Sequence, residues 1–207
     1  MGAFATTALA TAAVAGGFAD PVFDAQAVFR LLMGAMAEPG TVADLGARVA
    51  APAPLVPAAA ALLAALADGD TPVWMADPAG AGEAAARWLR FQTGAPITED
   101  RAAATFALLP ERHDPVGWAS FPRGTSDYPD RSATLLLPVR DFAGGDGLVL
   151  AGPGIAAERR VAPAGLPEGF AAALAANRAG FPLGVDIVLV CGTAVLALPR
   201  STRVREG

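Results

Sequence analysis

The residues able to carry chemistry in this chain are few and far apart. His113 is the only histidine and Cys191 the only cysteine, and all fifteen basic residues are arginine because the chain contains no lysine. A phosphate-binding Walker loop needs a lysine to reach the β and γ phosphates, and a pyridoxal phosphate enzyme needs one for its Schiff base, so both chemistries are excluded. A zinc site wants about four His, Cys or carboxylate ligands, and a single histidine and a single cysteine fall short of that set. No metal or cofactor is expected. Asp127 and Asp130 lie close enough in sequence to suggest magnesium, but two acids in a polar loop read as solvated side chains. Gly152-Pro153-Gly154 lacks the GxGxxG pattern and reads as a tight turn after a strand.

The nucleophilic combinations are equally bare. His113 beside Asp114, with Ser120 and Ser126 downstream, has no GxSxG elbow and no spaced acid to make a nucleophile–base pair. Cys191 closes the apolar run VDIVLVC, as a buried strand cysteine does. Trp74, Trp88 and Trp118 are core residues by type. Arginine is what is left, since its planar fork matches phosphate and carboxylate oxygens. Arg123 and Tyr128 in FPRGTSDYPDRS, and Arg200 and Arg203 near the C-terminus, are the candidate contacts for an anion or a partner. No catalytic residue can be named.

The elements that must position these residues follow from the hydrophobic spacing. Val22, Ala25, Val28, Phe29, Leu32, Met33 and Met36 recur at helical intervals after Asp20-Pro21, an N-cap and first-turn pair, and Glu38-Pro39-Gly40 ends that helix. Pro52, Pro54 and Pro57 punctuate a linker, and an Ala/Leu-rich helix then runs to about Ala67. PVWMA (72–76) and ATFALLP (104–110) read as buried strands, with a helix over 82–91 between them. From Glu111 to Arg131 the chain turns polar and rich in Pro, Gly and aromatics, as a long structured loop at a functional or partner surface would. SATLLLPV and GLVLAGPG read as a hairpin turned by Gly144-Gly145-Asp146-Gly147. GLPEGFAAALAANRAG supplies a further helix ending at Gly180, and VDIVLVCG with AVLALP supplies two paired closing strands about Gly192-Thr193. About six strands with helices among them predict an α/β fold with a mixed sheet in two or three layers.

Of 207 residues, 54% are hydrophobic and 17% charged, which describes one globular domain able to bury its own core. The mean hydropathy is +0.43, yet Asp, Arg, Gly or Pro interrupts every apolar run before about 18 residues, so no membrane span is expected. The start MGAFATTALATAAVAGG has no positive charge before Arg30, unlike a secretory signal, and reads as a flexible leader over 1–17 ahead of a single domain over 18–207. The net charge of -5 offers nucleic acid no basic footprint. One cysteine permits no internal disulfide, and the compartment these features imply is the cytoplasm.

Taken in order, GGFADPVFDAQAVFRLLMGAMAEPGT, GTSDYPDRSATLLL, LAGPGI, FPLGVDIVLVCG and ALPRSTRV resemble the PhnH family, the H subunit of the bacterial carbon–phosphorus lyase system. The resemblance runs from about Gly16 to Val204. It implies a homodimer-forming α/β/α domain, three-layered and related to pyridoxal phosphate-dependent transferases but without their cofactor. It also implies partners, the other subunits of a core complex that couples alkylphosphonate to the ribose of ATP with release of adenine. The family's motifs carry no established catalytic residue onto this chain, and Leu183 stands where the family's FPRGVD segment has arginine. The leading expectation is an accessory subunit, inactive alone. The runner-up is a homodimeric binding protein for an anionic small molecule, held by Arg123 or Arg131 near the 111–131 loop. An enzyme with His113 as general base is the weakest reading, since its acid and nucleophile have no names.

Overall fold

The computed structural model describes residues 14–207, so of the expected leader over 1–17 only residues 14–17 lie within them. Residues 14–16 are tied to the domain by hydrogen bonds. Val14 and Ala15 offer carbonyls to Gln92 Nε2 (2.6 Å) and Trp88 Nε1 (2.8 Å), and Gly16 O accepts from the Ala50 amide at 2.8 Å.

Helix α1 (Pro21–Ala37) starts as its sequence predicts, with Asp20 Oδ1 accepting from the Phe23 amide at 3.2 Å and Pro21 in the first turn. Its apolar stripe is wider than its contact. Val28, Leu32 and Ala35 are buried, whereas Val22, Phe23, Phe29 and Met33 stay exposed. Helix α2 (Pro57–Leu66) is buried at every position from Ala58 to Leu63, as a helix sandwiched between neighbours must be. It packs between α1 and α3 (Glu83–Thr93), whose Ala85, Ala86, Trp88 and Leu89 face inward. Gly94, at φ 74°, ends α3 in the left-handed conformation that glycine accepts without strain.

These three helices cover one face of a seven-stranded sheet. The strands are β1 (Val42–Asp44), β2 (Val73–Met75), β3 (Ile97–Thr98), β4 (Phe106–Leu108), β5 (Thr134–Pro138), β8 (Asp186–Cys191) and β9 (Ala194–Leu198), in the order β1-β9-β8-β5-β4-β2-β3. Pairing is parallel from β8 through β5, β4 and β2 to β3, and antiparallel where β9 joins β8 and where β1 joins β9. Leu135, Leu136 and Leu137 are each no more than 1% exposed, so β5 is buried on both faces, which an unbroken apolar run demands of a central parallel strand. Leu136 joins the core under the helices, and Leu135 and Leu137 join the core on the opposite face.

That opposite face carries a mixed layer: a 3-10 turn (Pro115–Ser120), helix α4 (Phe170–Ala179), and a separate three-stranded antiparallel sheet of β6 (Leu148–Ala151), β7 (Arg159–Val161) and β10 (Arg203–Glu206). The sheet order corrects one expectation. SATLLLPV and GLVLAGPG do not form a hairpin, because β5 is claimed on both sides by β4 and β8 while β6 pairs with β10 and β7. The intervening glycines instead lie along the 162–164 segment, where Gly145 donates to Ala162 O at 2.9 Å and Arg140 to Ala164 O at 2.8 Å. The closing pair β8–β9 is antiparallel about Gly192-Thr193, as its sequence predicts.

Candidate functional site

In open α/β sheets ligands bind outside the carboxyl ends of the parallel strands. Here those ends are Met75-Ala76-Asp77 after β2, Leu109 to His113 after β4, and Val139-Arg140 after β5. Asp77 has φ 50°, the one non-glycine residue with positive φ among those described, and its carboxylate accepts from the Ala81 amide at 2.9 Å. Its carbonyl takes the Gly80 and Gly82 amides as well (3.2 and 3.0 Å). Asp77 thus organises the 77–82 turn that leads into α3, a helix whose N-cap Gly82 brings no side-chain cap of its own.

Beside it a cavity of about 400 Å³ is walled by Leu55, Val56, Ala59, Met75, Leu108 and Leu109. Glu111 and Pro138 form its border with a polar cleft of about 460 Å³ that holds Arg112, His113, Arg140 and Glu168. The two guanidinium groups take part in none of the side-chain hydrogen bonds or ion pairs among the described residues.

His113 sits in that cleft but is fully engaged. Its Nδ1 lies 2.9 Å from Pro110 O, and its Nε2 receives the Trp118 indole N–H at 3.1 Å. A ring that donates from Nδ1 and accepts at Nε2 is neutral. Burial pushes its pKa below the ordinary histidine value, outweighing the upward pull of the Pro110 carbonyl and Asp114, and Arg101 adds to the depression. Ser120 turns its hydroxyl to Gly117 O at 2.6 Å, away from the imidazole. With its basic nitrogen occupied by Trp118 and no nucleophile beside it, His113 has the geometry of a structural latch rather than of a general base.

The residues singled out by sequence lie elsewhere. Arg123 and Tyr128 precede β5, and Arg200 follows β9, so all three stand at the amino end of the parallel strands. Arg200 was expected to be an exposed contact, and its side chain is instead only 15% exposed. Its Nη2 and Nε reach Asp186 Oδ2 and Oδ1 at 2.6 and 3.2 Å, its backbone amide also reaches Oδ1 at 2.8 Å, and Nη1 donates to Pro129 O. A forked arginine on a nearly buried carboxylate is a clamp that fixes the 123–132 loop to the sheet.

Arg123 is half-buried, bridged to Ser132, and its carbonyl accepts the Gly184 amide at 2.9 Å. Its guanidinium packs on Gly180 at one end of an apolar groove lined by Val116, Ala119, Ala172 and Ala176. Leu183 belongs to the adjoining Gly180–Gly184 turn. Tyr128 is 52% exposed under the Arg131 guanidinium, 4.3 Å from its ring centre. Arg203 is exposed at the start of β10. The four do not converge on one cleft. Arg112 and Arg140 were passed over, although each follows within a few residues of an expected apolar strand, and that placement was their available signal.

What fold and site define is a mixed α/β domain with a cleft at its strand ends and no assembled catalytic group among the described residues. Residues 16–205 match the family described as bacterial phosphonate metabolism protein (PhnH), and the chain belongs to that family. It is 45% identical over 191 residues, 92% of this chain and 95% of the relative, to the alpha-D-ribose 1-methylphosphonate 5-triphosphate synthase subunit PhnH of Rhizobium meliloti (strain 1021). A putative C-P lyase subunit protein HtxG of Stutzerimonas stutzeri is 38% identical over 81 residues, covering 39% of this chain and 42% of that relative.

Proposed function

We propose that this chain is an accessory subunit of a carbon–phosphorus lyase core complex, needed to couple alkylphosphonate to the ribose of ATP with release of adenine. The observation that carries this is the 45% identity, spread over 92% of the chain, to a subunit named for that synthase. The site agrees with a non-catalytic part: the lone imidazole is tied up between Pro110 and Trp118. So does the surface. Phe23, Phe29 and Met33 on α1 and Val42 on the edge strand β1 are each about half exposed or more, as on a chain that works by docking. The reading includes a cytoplasmic home, a homodimer when the chain is alone, and a three-layer fold akin to pyridoxal phosphate-dependent transferases without their cofactor. Arg123, Tyr128 and Arg203 are its proposed partner contacts.

Co-expression of the tagged chain with the other phosphonate subunits of its genome, followed by native mass determination, tests it. A stoichiometric complex is expected. A chain that copurifies with none of them, and whose loss leaves growth on methylphosphonate unchanged, would overturn the reading. The binding-protein alternative has one observation in its favour, the cleft at the strand ends.

A further inference from the structure

We infer that the cleft at the carboxyl ends of β2, β4 and β5 binds an organophosphonate with a short apolar substituent, its head on Arg112 and Arg140 and its substituent in the neighbouring apolar cavity. The inference rests on the phosphonate reading for its ligand class, and on the geometry for its place. Two chambers of about 400 and 460 Å³ meet at Glu111 and Pro138, one walled mainly by aliphatic side chains with Asp77 among its lining, the other carrying Arg112, Arg140 and Glu168. Each is within the size range of small-molecule sites.

The polar chamber selects among anions. Arg112 and Arg140 are its two arginines, neither in an ion pair among the described residues, and two forks suit a tetrahedral head with three oxygens better than a carboxylate with two. Glu111 and Glu168 also line it and offset the two arginines, so only a small head seated between the guanidinium groups avoids them, while the longer charge run of a nucleoside triphosphate meets like charge. The apolar chamber offers an aryl or alkyl group burial worth about 25 cal/mol per Å². It therefore distinguishes a substituted phosphonate from inorganic phosphate.

Titration calorimetry on the full-length chain, alone and in the purified complex, tests this with phenylphosphonate, benzoate, inorganic phosphate and ATP. Phenylphosphonate is expected to bind at least tenfold more tightly than the other three. Arg112→Gln and Arg140→Gln should each weaken it tenfold or more with no change in the unfolding midpoint, while Arg160→Gln, at an exposed position of β7, leaves it as in the wild type. Equal binding of phosphate would overturn the apolar chamber, equal binding of benzoate would overturn the phosphonate class, and tighter ATP would replace that class by nucleotides. Wild-type affinity in both cleft variants, or no phenylphosphonate binding at millimolar concentration, would overturn the site. In that last case a chain that still assembles with its partners leaves the subunit reading standing, and binding without assembly is the reverse result.

Discussion

At the amino end of the parallel strands Asp186 and Arg200 share two side-chain hydrogen bonds, roofed by the loop whose Pro129 carbonyl also binds the arginine. At the carboxyl end of the same sheet Arg112 and Arg140 face an open cleft with no such partner. One side-chain type thus does two jobs. A paired arginine near a buried acid holds the chain together, and an unpaired one in a concave surface is available to something from outside. The difference is not a matter of arginine content but of which strand end each residue follows.

The largest effect expected from breaking this contrast is at the clamp. Asp186→Ala leaves the Arg200 charge nearly buried and alone, and should cost about 3 kcal/mol in urea unfolding. Replacing both partners by apolar residues of similar size should recover most of that loss, since the pair itself contributes little net stability. Next comes the loop that roofs the clamp. Gly124 has φ 75°, and a Cβ there would stand 2.6 Å from Pro129 O, so Gly124→Ala should cost about 2 kcal/mol in the same assay.

The His113 latch gives a smaller, pH-dependent effect. Its folded pKa lies below the ordinary 6.5, so as pH falls through 6.5 the unfolded chain takes up a proton that the folded chain resists. Stability should decline from that pH down to the lower folded value and then level off, and His113→Gln should remove this component. Thermal unfolding at a series of pH values checks it. Smallest of all should be Arg112→Gln and Arg140→Gln, each within about 0.5 kcal/mol of wild type, as for charges that hold nothing in the fold. A loss of 2 kcal/mol at either would show that the open end is braced like the closed one.

The sequence made some of this visible and hid the rest for physical reasons. Local signals were reliable: Asp20-Pro21 opened α1, and the turn at Gly192-Thr193 paired β8 with β9, because capping and tight turns depend on adjacent residues. Strand order was not legible. The run LLL at 135–137 announces burial on both faces, yet nothing in it says that β4 and β8 are the neighbours and β6 is not. That gap kept the cleft at the strand ends out of view as well. Arg123, Tyr128 and Arg200 stood out by composition of their loops, but which end of a sheet a loop occupies follows from strand direction, a long-range property. The Arg200 clamp was hidden for the same reason, since its Asp186 partner acquires meaning only once β8 and β9 run antiparallel.

Strand order also sets when the molecule can exist. Edge strand β1 reaches the sheet only through β9, and α1 and α2 rest on β9 and β8, strands that begin at Ala194 and Asp186 whereas α1 begins at Pro21. A nascent chain therefore carries Val28, Leu32, Leu62 and Leu63 without the β8 and β9 part of their cover until its last strands emerge. Fragments cut short of Ala194 would present that apolar surface to the cell as substrates for chaperones and proteases. Completion of β9 is therefore the step that closes the core beneath the first two helices.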